Sequence, residues 1–242
     1  MPGDIFVTTH WTVVLAAGQQ HTEQSDRALA TLCQTYWHPL YTYVRRRGHS
    51  PHDAEDLTQD FFARILARND VATVSPERGK FRAYLLAAIN HFLSDEWDKA
   101  RAQKRGGGRV IHLDSAVAES LYAQGHADGL APERLFDQRW AITVLEEVYR
   151  QLRREYERDG KAALFESLRF SLMGERSAVP YADLAEKLQI SEGAVKVAVH
   201  RLRQRYRQVL RELVAGTVSA PDEVEEEMRY LLRAVADTGS GL

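Results

Sequence analysis

An apolar seam with helical spacing, within residues 195–213, constrains the fold of this chain more than any other feature. The seam repeats at alternating intervals of four and three residues, which places its members on one side of a helix. They are Val195, Val199, Leu202, Tyr206, Val209 and Leu213. Cations repeat at similar spacing about 100° further round the same helix; they are Lys196, His200, Arg203 and Arg207. The pattern predicts a long amphipathic helix with a basic face.

A capped turn precedes this helix. Residues 181–188 have their apolar side chains at i, i+3, i+4 and i+7, and Gln189 and Ile190 form a short turn. Ser191 is a suitable N-cap. This layout is typical of a DNA-binding helix-turn-helix, whose second helix enters the major groove. The candidate DNA contacts are Ser191, Glu192, Lys196, His200, Arg201, Arg203 and Arg207. The same pattern would also fit a solvated basic face on a surface helix.

Overall composition constrains the class of protein only loosely. A chain of 242 residues with 44% apolar residues suits one large or two small domains. Its net charge of −2 gives no sign of a nucleic-acid partner, but residues 80–109 are basic and residues 222–227 are acidic. Cys33 is the single cysteine, which excludes an intramolecular disulfide and a cysteine-based zinc site.

The sequence gives no indication of membrane insertion or of catalysis. No apolar run approaches ~18 residues and the N-terminus lacks a signal-peptide layout, so we expect a cytoplasmic protein. There is no glycine-rich phosphate loop and no nucleophile motif. An acidic cluster near His49 and His52 raises the alternative of a metal site, but its spacing fits helix capping better. We therefore expect a protein that is not an enzyme and holds no cofactor or metal.

Helical periodicity with no strand-like alternation predicts an all-α fold with two small helical domains joined by a flexible linker. Gly106, Gly107 and Gly108 open the linker. The expected organisation is an N-terminal extension over 1–22, a first domain over 23–105, a linker over 106–133, a second domain over 134–215 and an amphipathic acidic tail over 216–242.

Four helices are expected within the first domain. A capping box of Ser50 and Asp53, with Pro51 at the first helical position, opens the second of them. The third and fourth are expected at about 79–93 and 94–104, as separate helices.

Three segments resemble motifs of bacterial sigma factors. Residues 53–62, with the sequence DAEDLTQDFF, resemble the motif of conserved region 2.2. Residues 81–90 resemble regions 2.3 and 2.4, although Tyr84 stands where the family usually has tryptophan. Residues 181–201 resemble region 4, without the proline-containing turn that normally precedes it. Two such regions joined by a linker are similar to the extracytoplasmic-function (ECF) class of the sigma-70 family.

This resemblance implies a promoter-specificity subunit that binds core RNA polymerase, recognises a −35 duplex and a −10 single-stranded element, and initiates transcription. The implied partners are the β′ clamp helices and the β flap of the polymerase, promoter DNA, and an anti-sigma factor or other regulator. The polymerase-binding residues would be Asp53, Asp56, Gln59 and Asp60. A solvated acidic face is the alternative for these four.

The resemblance also assigns residues to the −10 element. The expected contacts are Arg82, Asn90, His91, Trp97, Arg101, Lys104 and Arg105. Asn90 matches the asparagine that the family has near its base-reading loop, and an amide can satisfy a base edge. Cations can follow the phosphates and aromatic rings can stack on bases. For Tyr84 and Phe92, however, helical spacing favours a place in the core.

The sequence allows alternatives for the function of the chain and for the role of its tail. A stand-alone helix-turn-helix transcriptional regulator, not bound to core polymerase, would account for residues 181–213 but would leave 53–62 unexplained. The tail has an apolar stripe of Val224, Met228, Leu231 and Val235. It would either pack on the second domain, or mask the basic helix or bind a regulator.

Overall fold

The computed structural model describes residues 11–17, 22–68, 71, 74–75, 79–102, 130–172 and 180–236. These residues form helices, turns and short connections, and none of them lies in a strand. The predicted all-α fold class is confirmed. The α-helices are α1 Trp11–Ala17, α2 Glu23–Arg46, α3 Pro51–Arg68, α4 Phe81–Ala102, α5 Pro132–Arg158, α6 Ala162–Leu168, α7 Tyr181–Leu188, α8 Glu192–Ala215 and α9 Val224–Ala236. Short 3-10 helices cover Arg169–Leu172 and Pro221–Glu223.

The described residues divide into two compact units. Unit 1 comprises those within 1–143 and 214–242, and unit 2 those within 144–213. This division differs from the expected one, in which a second domain began at residue 134 and the tail stood apart. The difference arises because the start of α5 is apolar: Leu135, Phe136 and Trp140 are buried. The expected linker lies almost entirely outside the described residues.

Aromatic rings form much of the core of unit 1. The ring of Tyr36 in α2 lies 5.6 Å from that of Phe81 and 6.5 Å from that of Phe136. On α3, the ring of Phe61 lies 5.7 Å from that of Phe92 on α4. Such ring pairs contribute beyond the area they bury. The core therefore ties α2, α3, α4 and the first turns of α5 together.

The start of α3 follows the predicted capping box. The Asp53 amide donates to Ser50 Oγ at 3.1 Å, and the Ser50 hydroxyl donates to Asp53 Oδ2 at 2.7 Å. Pro51 occupies the first helical position, where its missing N–H costs no hydrogen bond. The predicted start of this helix is confirmed.

The predicted break between two helices near residue 94 is wrong, because α4 is one helix. The Ser94 hydroxyl donates to the Asn90 carbonyl at 3.1 Å, a bond from i to i−4 inside the helix. The apolar face continues through Ile89, Phe92 and Leu93, all buried. Since Ser94 bonds backwards, it does not cap a new helix.

Unit 2 is built on the predicted seam. Val195, Val199, Leu202, Val209 and Leu213 of α8 are buried, and Tyr206 is half-buried. In the same unit, the later turns of α5 and the short α6 meet through the rings of Tyr149 and Phe165, 5.2 Å apart. The sequence pattern thus predicted the buried side of α8 correctly.

Helix α9 belongs to unit 1. Its residues Val224, Glu227 and Leu231 are buried, and Glu227 pairs with Lys80 and Arg82 near the start of α4. One expectation for the tail placed its contacts on the second domain, and the other was that it masks the basic helix or binds a regulator. The structure instead places the buried side chains of the tail in unit 1.

Candidate nucleic-acid interface

The turn between α7 and α8 is fixed by backbone geometry. Gln189 adopts a left-handed conformation with φ 54°, and the Ile190 amide donates to the Ala185 carbonyl at 3.0 Å. These features end α7 in the manner of a left-handed cap. Ser191 then accepts from the Ala194 amide at 3.2 Å, so its predicted N-cap role is confirmed. Two helices with a short turn between them are therefore present.

The buried seam of α8 turns its polar residues outward. With Val195, Val199 and Leu202 fully enclosed, the neighbouring positions lie at the surface. Every predicted −35 contact is exposed: Ser191, Glu192, Lys196, His200, Arg201, Arg203 and Arg207. The structure brings this set together on one helix and its cap.

Two of these cations are oriented by neighbours. Lys196 Nζ lies 2.8 Å from Glu192 Oε1, one helical turn earlier, and this hydrogen bond raises the pKa of Lys196. Arg203 Nε donates to the Ser171 carbonyl at 3.0 Å. Both side chains stay exposed, so these contacts hold the cations in place without enclosing them.

Arg205 is a cation on the same helix that contacts α5. Its Nη2 and Nε donate to the two carboxylate oxygens of Glu155 at 2.7 and 2.9 Å. Hydrogen bonding to Arg205 outweighs burial and holds the pKa of Glu155 below its ordinary value. This two-point pair fixes α8 against α5 inside unit 2. Sequence reasoning did not single it out; Arg205 adjoins the seam residue Tyr206, which was the available signal.

The acidic face of α3 is mostly as expected. Asp53, Asp56 and Asp60 are exposed. Burial, with the nearby charges of Asp56 and Glu96, raises the pKa of Asp60. The expectation that Gln59 lies on the exposed face is wrong, because Gln59 is only 7% exposed and lies beside the buried Thr58.

A cleft in unit 1 lies beside this acidic face. It has a volume of about 580 Å³ and is lined by residues of α3, α4 and the loop between α2 and α3. Its lining includes Asp53, Asp56 and Trp97, and Trp97 is 63% exposed. Residues assigned on sequence grounds to the polymerase and to DNA therefore meet at one cleft.

Asn90 is held by a buried tyrosine. Tyr43 donates from its hydroxyl to Asn90 Oδ1 at 2.6 Å, and the same hydroxyl lies 3.2 Å from Glu133 Oε1. Asn90 is half-buried, whereas His91 is exposed. The amide of Asn90 is thus oriented by the protein, with its oxygen engaged.

The other candidates for the −10 element divide between core and surface. Phe92 is buried, as its spacing indicated, and Tyr84 is half-buried, with its ring stacked on that of Phe81 at 5.8 Å. The side chain of Arg101, together with Lys104 and Arg105, lies outside the described residues.

Arg82 does not lie on an open surface, contrary to expectation. It is 7% exposed, and its guanidinium donates to both carboxylate oxygens of Glu227 and to Asp137. The same group lies 4.4 Å from the centre of the Trp140 ring and 5.0 Å from that of Tyr230. Burial alone would lower the pKa of Arg82, but the carboxylates of Glu227 and Asp137 outweigh it and the pKa is raised.

We call this group the Arg82 cluster; its members are Lys80, Arg82, Asp137, Trp140, Glu227 and Tyr230. Sequence reasoning missed the role of Glu227, although a signal existed. Glu227 follows Val224 by three residues and precedes Leu231 by four, so it falls on the apolar stripe of the tail. Tyr230 donates to Asp137, and burial followed by this bond raises the pKa of Tyr230 to about 12.

The described residues also bear on metal binding and on membrane insertion. Within them, no group of three or more histidine, cysteine, aspartate or glutamate side chains has an arrangement that could hold a metal ion. Among the helices formed by those residues, none is long and apolar enough to cross a membrane.

Part of the chain matches the model of a known protein family. Residues 32–103, less than a third of the chain, match the family described as sigma-70 region 2. No curated protein and no solved structure matches the chain. The matched span runs from α2 to the end of α4 and so includes the acidic face of α3 and five of the seven predicted −10 residues, with Lys104 and Arg105 outside it. The match supports membership of the sigma-70 family and a sigma-type role in promoter recognition and transcription initiation.

Proposed function

We propose that this protein is a sigma factor of the ECF class, which binds core RNA polymerase and directs it to promoters with separate −35 and −10 elements. The match of residues 32–103 to sigma-70 region 2 carries this proposal. The helix pair α7 and α8, with its exposed cations, supports the two-element form of it.

In this proposal α8 reads the −35 duplex. A helix with its N-terminal residues exposed and its opposite side buried has the geometry that places side chains in a major groove. Lys196, Arg201 and Arg207 would contact phosphates or base edges, and His200 lies on the same exposed side. The DNA-binding role of this helix-turn-helix is part of the proposal.

The acidic face of α3 would bind the β′ clamp helices, and α4 would contact the −10 strand. Asp53, Asp56 and Asp60 are exposed and available for a basic partner. Trp97 and His91 are the exposed candidates for stacking on unpaired bases. Catalysis would come from the polymerase, so the protein needs no cofactor of its own.

Holoenzyme formation tests the proposal. The purified chain is mixed with core RNA polymerase and the complex is measured by size-exclusion chromatography and by run-off transcription on a library of genomic fragments. A stoichiometric complex with specific transcripts is expected. The variants Asp56→Lys and Asp60→Lys should each weaken the complex, because they reverse charges on the proposed docking face.

Glu146→Lys is the matched control, since Glu146 is an exposed residue of α5 with the same charge change. It should leave holoenzyme affinity intact. Equal effects of all three variants would mean that α3 is not the docking face. Duplex binding without any polymerase complex would favour a stand-alone helix-turn-helix regulator instead.

A further inference from the structure

The Arg82 cluster is the strongest feature that the proposed function leaves unused. In unit 1, α9 covers two cations at the start of α4. Glu227 is 0% exposed, and its carboxylate accepts hydrogen bonds from Lys80 Nζ and from Arg82 Nη1, with Arg82 Nη2 at 3.2 Å. The carboxylate of Glu227, in the tail helix α9, therefore neutralises the cations at the start of α4.

The surface beneath Glu227 combines cations with an aromatic ring. Arg82 lies 4.4 Å from the centre of the Trp140 ring, and Lys80 adjoins Arg82 through the shared carboxylate. Single-stranded nucleic acid is bound by this combination, in which cations follow the phosphates and flat groups stack on bases. Without α9, the start of α4 and the neighbouring Trp140 ring would present such a surface to solvent.

Stability alone does not explain the charge on Glu227. Burying a carboxylate removes its hydration, and a buried ion pair is often no more stabilising than apolar side chains of similar volume. An apolar residue at position 227 would continue the stripe formed by Val224 and Leu231. A buried charge at this position instead makes the docking of α9 depend on the cations of α4.

Helix α9 is also suited to local release. It has 13 residues, is joined to α8 through residues 216–223, and leaves Leu232 50% exposed. Elements at the edge of a domain open at a lower free energy than the core does. A competing polyanion at Lys80 and Arg82 would lower that free energy further.

We propose that α9 is an autoinhibitory element, in which the carboxylate of Glu227 occupies the position that a phosphate of single-stranded DNA takes on Lys80 and Arg82 when α9 is released. The inference rests on the proposed function, because it assigns the Arg82 cluster to the melted promoter strand. In the state with α9 released, Arg82 has the contact with the −10 strand that the sequence predicts for it.

The test uses the full chain with Glu227→Gln, alone and bound to core RNA polymerase. Binding of a fluorescein-labelled oligodeoxythymidylate of about 20 nucleotides is followed by fluorescence anisotropy at several salt concentrations. Glutamine keeps the shape of the side chain and removes its charge. The variant should bind the oligonucleotide about fivefold to tenfold more tightly than the unaltered chain, because the competing charge is gone.

The matched control is Glu226→Gln, an exposed neighbour on the same helix with the same change in net charge. It should alter affinity less than about twofold, since an exposed charge is screened by solvent and salt. Equal affinities of the two variants would overturn the inference, as would the absence of oligonucleotide binding by all three proteins.

Hydrogen exchange in the unaltered chain gives a second measurement, which decides the matter if Glu227→Gln does not fold. Amides of 224–236 should lose protection when the oligonucleotide is saturating, because α9 is released. Unchanged or increased protection would mean that α9 only stabilises unit 1. Failure to form a complex with core polymerase would instead contradict the proposed function, so the two failures are distinguishable.

Discussion

Two cationic regions of this molecule were expected to contact DNA, and their surroundings are opposite. On α8, Lys196, Arg201 and Arg207 are exposed side chains on a helix whose other side is buried. At the start of α4, Arg82 is enclosed by two carboxylates and two aromatic rings. The same residue type thus serves as a surface charge in one unit and as the centre of a buried network in the other.

The contrast shows that a cation's position on its own helix does not decide its exposure. Arg203 and Arg207 stay at the surface, although Arg203 donates to the Ser171 carbonyl of the same unit. Arg82 lies on a face that α5 and α9 both contact. The two carboxylates that enclose Arg82 belong to residues 55 and 145 positions further along the chain.

The largest effect should follow from removing the buried cation. Arg82→Ala leaves Glu227 and Asp137 without their main partner, and an uncompensated buried charge costs about 3–5 kcal/mol. The free energy of unfolding, from urea denaturation followed by tryptophan fluorescence, should fall by that amount. Arg207→Ala, which removes an exposed cation of α8, should change it by less than about 0.5 kcal/mol.

A compensating pair sharpens this prediction. The double variant Arg82→Met with Glu227→Leu replaces the buried charges by apolar side chains and should recover most of the loss. If Arg82→Ala costs less than about 1 kcal/mol, the cluster is not enclosed in solution as it is in the structure.

An intermediate effect is expected at the half-buried pair of Arg205 and Glu155. Glu155→Gln should cost about 1 kcal/mol at neutral pH, because it removes the charge from a two-point ion pair. The pKa of Glu155 is lowered in the folded state. Its contribution is therefore fully present above the ordinary glutamate pKa and is lost as the pH falls through the lowered value.

Urea denaturation of the unaltered chain and of Glu155→Gln across the range from about pH 7 to pH 3 measures this contribution. The difference in free energy of unfolding between the unaltered chain and Glu155→Gln should become smaller in the acid part of that range. Glu157→Gln is the control, because Glu157 is exposed. A difference that stays constant with pH would show that the Arg205 pair does not lower the pKa of Glu155.

A smaller, local effect is expected at the cap that begins the exposed helix. Ser191→Ala removes the acceptor for the Ala194 amide and should destabilise the start of α8 by about 1 kcal/mol. Hydrogen exchange of the amides in the first turn of α8 measures this loss. Ser191→Asn retains a capping acceptor and should behave like the unaltered chain; equal exchange in both variants would mean that the cap does not hold this turn.

The smallest effect is expected for a single exposed cation. Arg201→Ala should weaken binding of duplex DNA about threefold to fivefold and reduce the salt dependence by about one unit of slope, if Arg201 contacts one phosphate. Fluorescence anisotropy with a labelled duplex at several salt concentrations measures both. Arg158→Ala removes an exposed cation at the end of α5 and should leave both unchanged; a loss equal to that of Arg201→Ala would indicate non-specific attraction.

Much of the local structure could be predicted from sequence because its signals are local. Ser50 and Asp53 form a capping box within four residues, and the seam of α8 repeats within one helix. The predicted break in α4 failed for a local reason as well, since a serine within a helix can bond to the carbonyl four residues before it. A serine hydroxyl can either cap a new helix or bond backwards inside a continuous helix. Only the packing of Ile89 and Leu93 decides between these two arrangements.

The candidate site was predictable where exposure follows from one helix alone. Asp53, Asp56 and Asp60 are exposed as expected, whereas Gln59 is buried on the same helix. The position of Gln59 depends on how neighbouring helices cover α3, and periodicity does not report that. The pairing of Tyr43 with Asn90 has the same origin, because 47 residues separate the two side chains.

The sequence by itself determined the all-α class, the capped start of α3, the buried side of α8 and the exposed cations beside it. Each of these depends on interactions within a turn or a single helix. Only the tertiary structure decided that the start of α5 and the tail helix belong to unit 1, and that Glu227 meets Lys80 and Arg82 there. These contacts join segments distant in sequence, and burial between them is a property of the packed chain rather than of any one segment.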